Sequence, residues 1–297
     1  MAAGDKVVVE IAGRRLALSN LHKPLYPEFV KAEVIDYYTR VAPAMLPHLA
    51  GRPATRKRFP DGVDGPHFFE KNAPSHTPDW IRVVELPTPG SSRGYQTLNF
   101  IVIDDLPTLV WCANMAALEL HVPQWRIGPR GKVHDCDLMV FDLDPGPPAG
   151  ITEARHVALL LRDLLGSDGL TAYPKTSGGK GLHLYVPVAE TARTSEYAKE
   201  AAERLAASHP RLVVSKMDKK LRRGKVFVDW SQNNPAKTTV APYSLRAATE
   251  PLASAPVTWD EMEDGGALRF TAQDVLERVA EHGDLLAPML ENHQKLP

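Results

Sequence analysis

The chain has 297 residues, 43% hydrophobic and 24% charged, the make-up of an ordinary globular protein long enough for a sizeable core and for one bilobal or two smaller domains. No apolar run approaches the roughly 18 residues of a membrane span, and Met1-Ala2-Ala3-Gly4-Asp5 lacks a signal peptide's apolar core, so cytoplasmic residence without a membrane partner is expected. Two cysteines, Cys112 and Cys136, are too few for a disulfide framework or a zinc site and read as buried thiols, while the net charge of -1 conceals basic clusters at residues 52–58 and 211–225 set against an acidic stretch from 250 to 297.

In chain order, residues 7–11 and 15–18 read as two strands around Ala12-Gly13. Pro24 and Pro27 then forbid a long helix and impose an ordered, extended loop. Lys31 opens a helical pattern with Val34, Ile35, Tyr38 and Val41 on one face, expected to close before Pro47. Asn20, Lys23 and Lys31 meet where that loop joins the helix N-terminus, a place suited to a phosphate; the alternative is unrelated surface lysines.

Residues 52–59 alternate cations with small or apolar groups, so a strand is expected to carry Arg56 and Lys57 toward a nucleic-acid backbone, or else simply to present a solvated basic face. Phe68 and Phe69 follow in an extended, proline-flanked stretch. Adjacent side chains on such a segment face opposite ways, so one is expected in the core and the other exposed as a stacking platform for a base, unless both belong to the core. Residues 87–95 are turn chemistry throughout and read as a mobile surface loop that brings Arg93 near a ligand. A strand over 98–103 and an apolar helix over 106–121 come next, the helix ending at His121, a structural hydrogen-bonder or a ligand.

The densest chemistry lies in Val133-His134-Asp135-Cys136-Asp137-Leu138-Met139-Val140-Phe141-Asp142-Leu143-Asp144-Pro145-Gly146. The apolar run 138–141 is a buried strand stopped by Pro-Gly. Alternation puts Asp142 and Asp144 on the same face, roughly 7 Å apart. Like charges there repel and resist desolvation, which a divalent cation such as Mg²⁺ or Mn²⁺ resolves; a strand end that merely faces water is the plainer reading. A helix over 152–165 and a strand at Ala172-Tyr173 complete a β-α-β-like unit. Pro174-Lys175-Thr176-Ser177-Gly178-Gly179-Lys180-Gly181 then supplies glycines, hydroxyls and lysines for a phosphoanion, and the strand after it carries His183 and Tyr185 on one face. The spacing differs from a P-loop and no helix follows. After a helix over 195–208 and the basic stretch, a strand over 225–230 carries Asp229, an isolated carboxylate and the candidate third ligand. Residues 231–244 are polar and turn-rich, and capping boxes at Thr258/Glu261 and Thr271/Asp274 predict two short helices.

The order Asp142-x-Asp144, Ser177-Gly-Gly-Lys-Gly-Leu-His183, Val228-Asp229 resembles the three motifs of the archaeo-eukaryotic primase superfamily. Ser19-Asn20-x-x-Lys23, Arg56-Lys-Arg, Phe68-Phe69, Ala113-Asn114 through His121 and Ala241-Pro-Tyr-Ser-Leu-Arg246 resemble more closely the polymerase domain of bacterial ligase D. That resemblance implies an α/β, primase-like two-layer catalytic core with a mixed, largely antiparallel sheet and a packed N-terminal lobe. It also implies one bilobal domain, with lobes of about 1–125 and 126–250 and a helical segment of about 251–297. The activity implied is template-dependent nucleotidyl transfer in non-homologous end joining, filling gaps and extending ends at double-strand breaks with a preference for NTPs over dNTPs. Asp142, Asp144 and Asp229 match the carboxylates of a two-metal Mn²⁺ or Mg²⁺ site. Ser177, His183 and Arg246 match contacts to the nucleotide's phosphates, with Lys175 beside them and His121 near the sugar. Asn20, Lys23 and Lys31 match the pocket for a recessed 5′-phosphate, and Phe68 and Phe69 the pair that stacks on the template. A Ku-type end-binding protein and a DNA ligase are the implied partners, with location at the nucleoid. Two alternatives stand beside this reading: a de novo primase, and a non-catalytic module that tethers DNA ends. No ligase or phosphoesterase sequence follows Pro297, so the expectation is a stand-alone polymerase or an excised domain.

Overall fold

Two six-stranded sheets organise residues 6–88, 94 and 96–297, the part of the chain that the computed structural model describes. The first sheet runs in the order Thr239–Val240, Ala117–Val122, Pro53–Arg58, Thr97–Val102, Val83–Pro87, every neighbour antiparallel, with Phe68–Glu70 added beside Pro53–Arg58. The helices Lys31–Leu49 and Leu106–Asn114 share one apolar cluster with this sheet, through Val34, Tyr38, Val41, Leu109, Leu118 and Leu120. Ahead of it, Lys6–Ile11 and Arg14–Ser19 form a hairpin whose turn residues Ala12 and Gly13 both have positive φ, the geometry a tight two-residue hairpin requires.

The second sheet is ordered Tyr173–Thr176, Leu182–Thr191, Val133–Pro145, Val226–Asp229, Val213–Val214, with Trp125–Ile127 paired to the early half of Val133–Pro145. Only the pairing of Val226–Asp229 with Val213–Val214 is parallel, so the sheet is mixed and largely antiparallel, as expected. Strand alternation divides the Val133–Pro145 strand cleanly between two faces. Met139, Phe141 and Leu143 point toward the helices Ile151–Ser167 and Thr194–Ser208 and pack on Val157, Leu161, Ala198 and Ala201. Each such fully buried side chain contributes about 1.5–3 kcal/mol. Leu138 and Val140 cover the other face with Tyr185, Leu286 and Met289. Continuing along that face, positions 142 and 144 run out of apolar cover, and there the sequence places aspartates.

Helix-covered strand, helix and Tyr173–Thr176 form a split β-α-β unit with Leu182–Thr191 inserted between the two parallel strands. Both capping boxes are present: Thr258 and Thr271 accept from the backbone N–H groups of Glu261 and Asp274 at the starts of the helices Trp259–Asp264 and Ala272–His282. Cys112 and Cys136 are free and buried. Among the described residues no helix is long and apolar enough to cross a membrane.

Three expectations need correction. The helix begun at Lys31 passes through Pro43 and Pro47 to Leu49, because burial of Met45 and Leu49 offsets the two lost backbone donors. The expected helix over 106–121 ends at Asn114; Ala116 turns the chain at φ +55° and Ala117–Val122 is a strand. Residues 117–120 are all buried, and Leu118-Glu119-Leu120-His121-Val122 alternates apolar with polar side chains, the period of a strand, which the apolar stretch ahead of it masked. The extended loop after Leu18 contains its own miniature hairpin, Pro24–Tyr26 against Phe29–Val30. Arg93 and most of the turn-rich 87–95 stretch lie outside the described residues.

Candidate active site

Strand register assembles the site. Lys175 lies opposite His183, His183 opposite Asp142, and Asp142 opposite Asp229, so four side chains from four neighbouring strands form one row across the second sheet. Directly opposed side chains start about 5 Å apart. Asp144 sits two residues beyond Asp142 on the same face, at the open end of the row. Its side chain is 47% exposed against 24% for Asp142.

Hydrogen bonds and charges hold this row in distinct states. Asp229 is tightly satisfied, its Oδ1 accepting from the Ser231 hydroxyl at 2.5 Å and N–H at 3.0 Å, its Oδ2 from the Gln232 amide at 3.0 Å. Burial works against the charge of Asp142, but His183, whose Nε2 lies 3.4 Å from Oδ1, and the Lys175 ammonium outweigh it and hold the carboxyl below its usual range. Asp144 moves the other way, raised by burial and by the negative charge of Asp142. Burial and then Lys175 push His183 down to about 4, leaving it neutral with a buried, unpartnered Nδ1. Lys175 itself is fully buried, far below its ordinary pKa through desolvation and the nearby Arg246; its ammonium donates to the Ser254 hydroxyl at 2.5 Å and sits 5.1 Å from the centre of the Tyr185 ring.

The row thus gathers three carboxylates beside a neutral histidine and a buried lysine. The three carboxylates form an all-oxygen donor set suited to a hard divalent metal, and the repulsion that raises Asp144 is what such a metal relieves. Among the described residues no three His, Cys, Asp or Glu side chains close on a single point as a cage. The fit therefore rests on donor chemistry and register.

The loop between Tyr173–Thr176 and Leu182–Thr191 flanks the row. Ser177 Oγ accepts from the N–H groups of Gly179 and Gly181, both at 3.3 Å, and so curls the loop on itself. Gly178, at φ +70°, backs against the Arg246 side chain, where any Cβ would collide. Arg246 in turn joins the loop to the first sheet, its Nη1 3.1 Å from Glu119 Oε2 and its carbonyl accepting from the Tyr26 hydroxyl at 3.0 Å. Ser177, His183, Arg246 and Lys175 are therefore brought together.

His121 belongs to the facing part of the first sheet, paired with Thr55 and Val240, and its Nε2 lies 3.0 Å from Glu119 Oε2. Phe69 contacts the His121 ring edge-on at 5.8 Å and opposes Lys57 in the sheet. Phe68 and Phe69 are both exposed, at 42% and 56%, contrary to the expectation that one would be buried. Their short strand lies along the sheet beside Pro53–Arg58, where neither face is covered, and Arg58 and Lys57 lie over the two rings. Arg56 requires a second correction. It is completely buried, bound to the Asn72 carbonyl at 2.9 Å and to Glu70 at 3.1 Å, so it braces the fold and does not present its guanidinium to a DNA backbone. Lys57 faces Glu119 at 3.4 Å, inside the same floor as His121.

Asn20, Lys23 and Lys31 come together at the entrance to the first helix. Asn20 adopts φ +53°, and its carbonyl accepts from the Lys23 N–H; the Lys23 carbonyl accepts from the Lys31 N–H. Lys31 is buried, donates to the Ser19 carbonyl at 2.6 Å, and is lowered to about 8 by burial, Lys23 and Arg58. Among the described residues the Lys23 side chain meets the exposed Asp61 alone, at 2.7 Å. This corner sets two lysines at a helix N-terminus, one of them, Lys31, without a carboxylate partner among the described residues.

Two site residues escaped the sequence reading. Arg222 lies across the Phe227 ring at 3.7 Å and comes within 4.0 Å of Asp144; it was hidden in a basic stretch where only its neighbours in space distinguish it. Glu119 ties His121, Lys57 and Arg246 to one carboxylate. Its alternation with His121 would have exposed it had that segment been read as a strand.

Residues 30–286 match the protein family described as "LigD, primase-polymerase domain". The chain is 46% identical over 283 residues to the multifunctional non-homologous end joining protein LigD of Mycobacterium bovis, covering 92% of this chain and 37% of that protein. It is 31% identical over 290 residues to the bifunctional non-homologous end joining protein LigD of Bacillus subtilis, covering 95% of this chain and 45% of that protein. The chain thus spans less than half the length of these relatives. Among solved structures it resembles the polymerase domain of Mycobacterium tuberculosis ligase D in complex with DNA, with a TM-score of 0.88, 45% identity, and coverage of 94% of this chain and 99% of that one.

Proposed function

This chain belongs to the LigD primase-polymerase domain family, a family of metal-dependent nucleotidyltransferases, and from that membership we propose that it fills gaps and extends ends at DNA double-strand breaks in non-homologous end joining, using a template and preferring NTPs. The observation that carries the reading is the row Lys175, His183, Asp142, Asp229, with Asp144 at its open end. Asp142, Asp144 and Asp229 would hold Mn²⁺ or Mg²⁺. Bound there, the ions supply activation of the primer 3′-hydroxyl and neutralisation of the triphosphate.

Every other part is the chain's own work. Ser177, His183, Arg246 and Lys175 receive the phosphates, the Ser177 hydroxyl and the Arg246 guanidinium supplying donors at the mouth of the row. His121 lies near the sugar, and Phe68 and Phe69 stack on the template. Asn20, Lys23 and Lys31 hold a recessed 5′-phosphate, which favours pre-existing ends over de novo starts. The two lobes and the C-terminal segment act as one bilobal unit, a reading supported by Thr239–Val240 joining the first sheet and by residues 287–290 packing on the second. A Ku-type protein and a ligase are the proposed partners at the nucleoid.

Primer extension on a gapped duplex with a 5′-phosphate tests the proposal, comparing ATP with dATP in Mn²⁺ and in Mg²⁺ beside Asp142→Ala. Templated addition that favours ATP and disappears in the variant, with DNA binding retained, is the expected result. Tight gap binding without addition of any nucleotide would replace it with a tethering role.

A further inference from the structure

Two groups of the proposed nucleotide site, His121 and Arg246, converge with Lys57 on the carboxylate of Glu119. Oε2 lies 3.0 Å from His121 Nε2 and 3.1 Å from Arg246 Nη1; Oε1 lies 3.4 Å from Lys57 Nζ and accepts from the Ala247 N–H at 3.1 Å. The side chain is 3% exposed. Burial alone would raise its pKa, but the His121 hydrogen bond, the Arg246 charge and the Ala247 N–H outweigh this and bring it down to about 2. Glu119 is thus ionised at every working pH and can only accept hydrogen bonds.

An acceptor-only neighbour decides which imidazole nitrogen carries the proton. With Nε2 facing the carboxylate, Nε2 must be the N–H, and because burial lowers the His121 pKa the ring is neutral and its Nδ1 is a lone pair. Among the described residues Nδ1 has no hydrogen-bond partner. The ring is held from the other side by the edge of Phe69 at 5.8 Å.

We propose that Glu119 is a positioning residue for ribose selection: it fixes His121 as the Nε2–H tautomer, so that Nδ1 accepts a hydrogen bond from an incoming nucleotide's 2′-hydroxyl, while it anchors Arg246 on the same carboxylate. The inference rests on the reading that places the sugar at His121. A ribonucleotide supplies the donor that Nδ1 lacks, and a deoxyribonucleotide leaves that acceptor desolvated and unpaired, which is how a site built around a hydroxyl rejects the analogue without it. Glu119 also lies opposite Lys57, and Lys57 opposite Phe69. The template platform and the sugar-reading histidine are therefore set by one register.

The test compares the ratio of kcat/KM for ATP and dATP on one gapped duplex, in the wild-type chain, Glu119→Gln and His121→Ala. A glutamine amide turns a donor toward Nε2 as readily as an acceptor, so Glu119→Gln is expected to lose about tenfold of the ATP preference through a raised KM for ATP, with binding to the gapped DNA unchanged. His121→Ala should lose the preference to at least the same extent. A folded Glu119→Gln that keeps the full ratio while His121→Ala loses it overturns the proposal and leaves the sugar reading standing. If His121→Ala keeps the ratio, the sugar reading fails and the proposal falls with it. The ¹⁵N shifts of the His121 ring in the wild-type chain give a check that needs no variant to fold: a protonated Nε2 and a pyridine-type Nδ1 at pH 7 are expected, and a protonated Nδ1 overturns the assignment.

Discussion

Lys31 is a buried ammonium whose nearest partners are the Ser19 carbonyl and hydroxyl, and it is lowered to about 8 by burial and by the like charges of Lys23 and Arg58. In the unfolded chain the same group keeps its proton to about 10.5. Between these values the unfolded state binds more protons, so stability rises with pH across that window as the folded chain sheds an unfavourable charge. Binding of a 5′-phosphate needs that charge and should respond in the opposite sense. Fluorescence anisotropy on gapped duplexes is expected to show preference for a 5′-phosphate over a 5′-hydroxyl falling about tenfold between pH 7 and about 9, the loss of one charge-assisted hydrogen bond. Lys31→Arg, which cannot deprotonate in this range, should flatten the profile. A preference that stays constant with pH in the wild-type chain would remove Lys31 from the pocket.

Gly181 shows how an element's backbone spacing serves the site. A Cβ there would lie 2.5 Å from the Leu143 carbonyl, between the two aspartates of the central strand. Neither that carbonyl nor the strand can yield, because Leu143 is paired with both Leu182 and Val228. Gly181→Ala is therefore expected to cost about 1–3 kcal/mol in thermal or denaturant unfolding, and to reduce extension by displacing Ser177 in the loop that flanks the row. Full activity with normal stability would show that the loop moves freely of the strand. Elements of this kind were legible in the sequence where one face is apolar and the other is not: the Asp142 strand, the Ser177 loop and both capping boxes are where pattern and turn chemistry put them. Legibility failed at Ala117–Val122, whose two-residue alternation was absorbed into the apolar helix ahead of it and so hid Glu119. It failed again at Arg56 and Phe68, where alternation gives a side chain's direction but not what a neighbouring strand places over it.

The whole molecule carries a net charge of -1, yet the surfaces proposed to meet nucleic acid are locally cationic. The 5′-phosphate corner gathers Lys23 and Lys31, and the margin of the carboxylate row holds Arg222 within a stretch rich in lysine and arginine. At physiological ionic strength a charge is felt over about 8 Å, so the local charge at each patch matters more than the chain's total. Affinity for gapped DNA should then follow local counterion release, with log Kd rising linearly against log salt despite the near-zero total charge. Lys23 is the informative probe, since among the described residues its side chain meets the exposed Asp61 alone and its removal is expected to leave the fold intact. Lys23→Ala is expected to reduce the slope by about one unit on a 5′-phosphorylated gap and to leave it nearly unchanged on a 5′-hydroxyl gap, where the pocket has no phosphate to neutralise. Arg162→Ala serves as the control, because Arg162 is engaged with Glu263 on the helix-covered side of the second sheet; its slope should match the wild type on both substrates. Titrations from about 50 to about 200 mM salt separate the outcomes. Equal slope changes on both substrates would mean that Lys23 contacts the continuous backbone and not the recessed end.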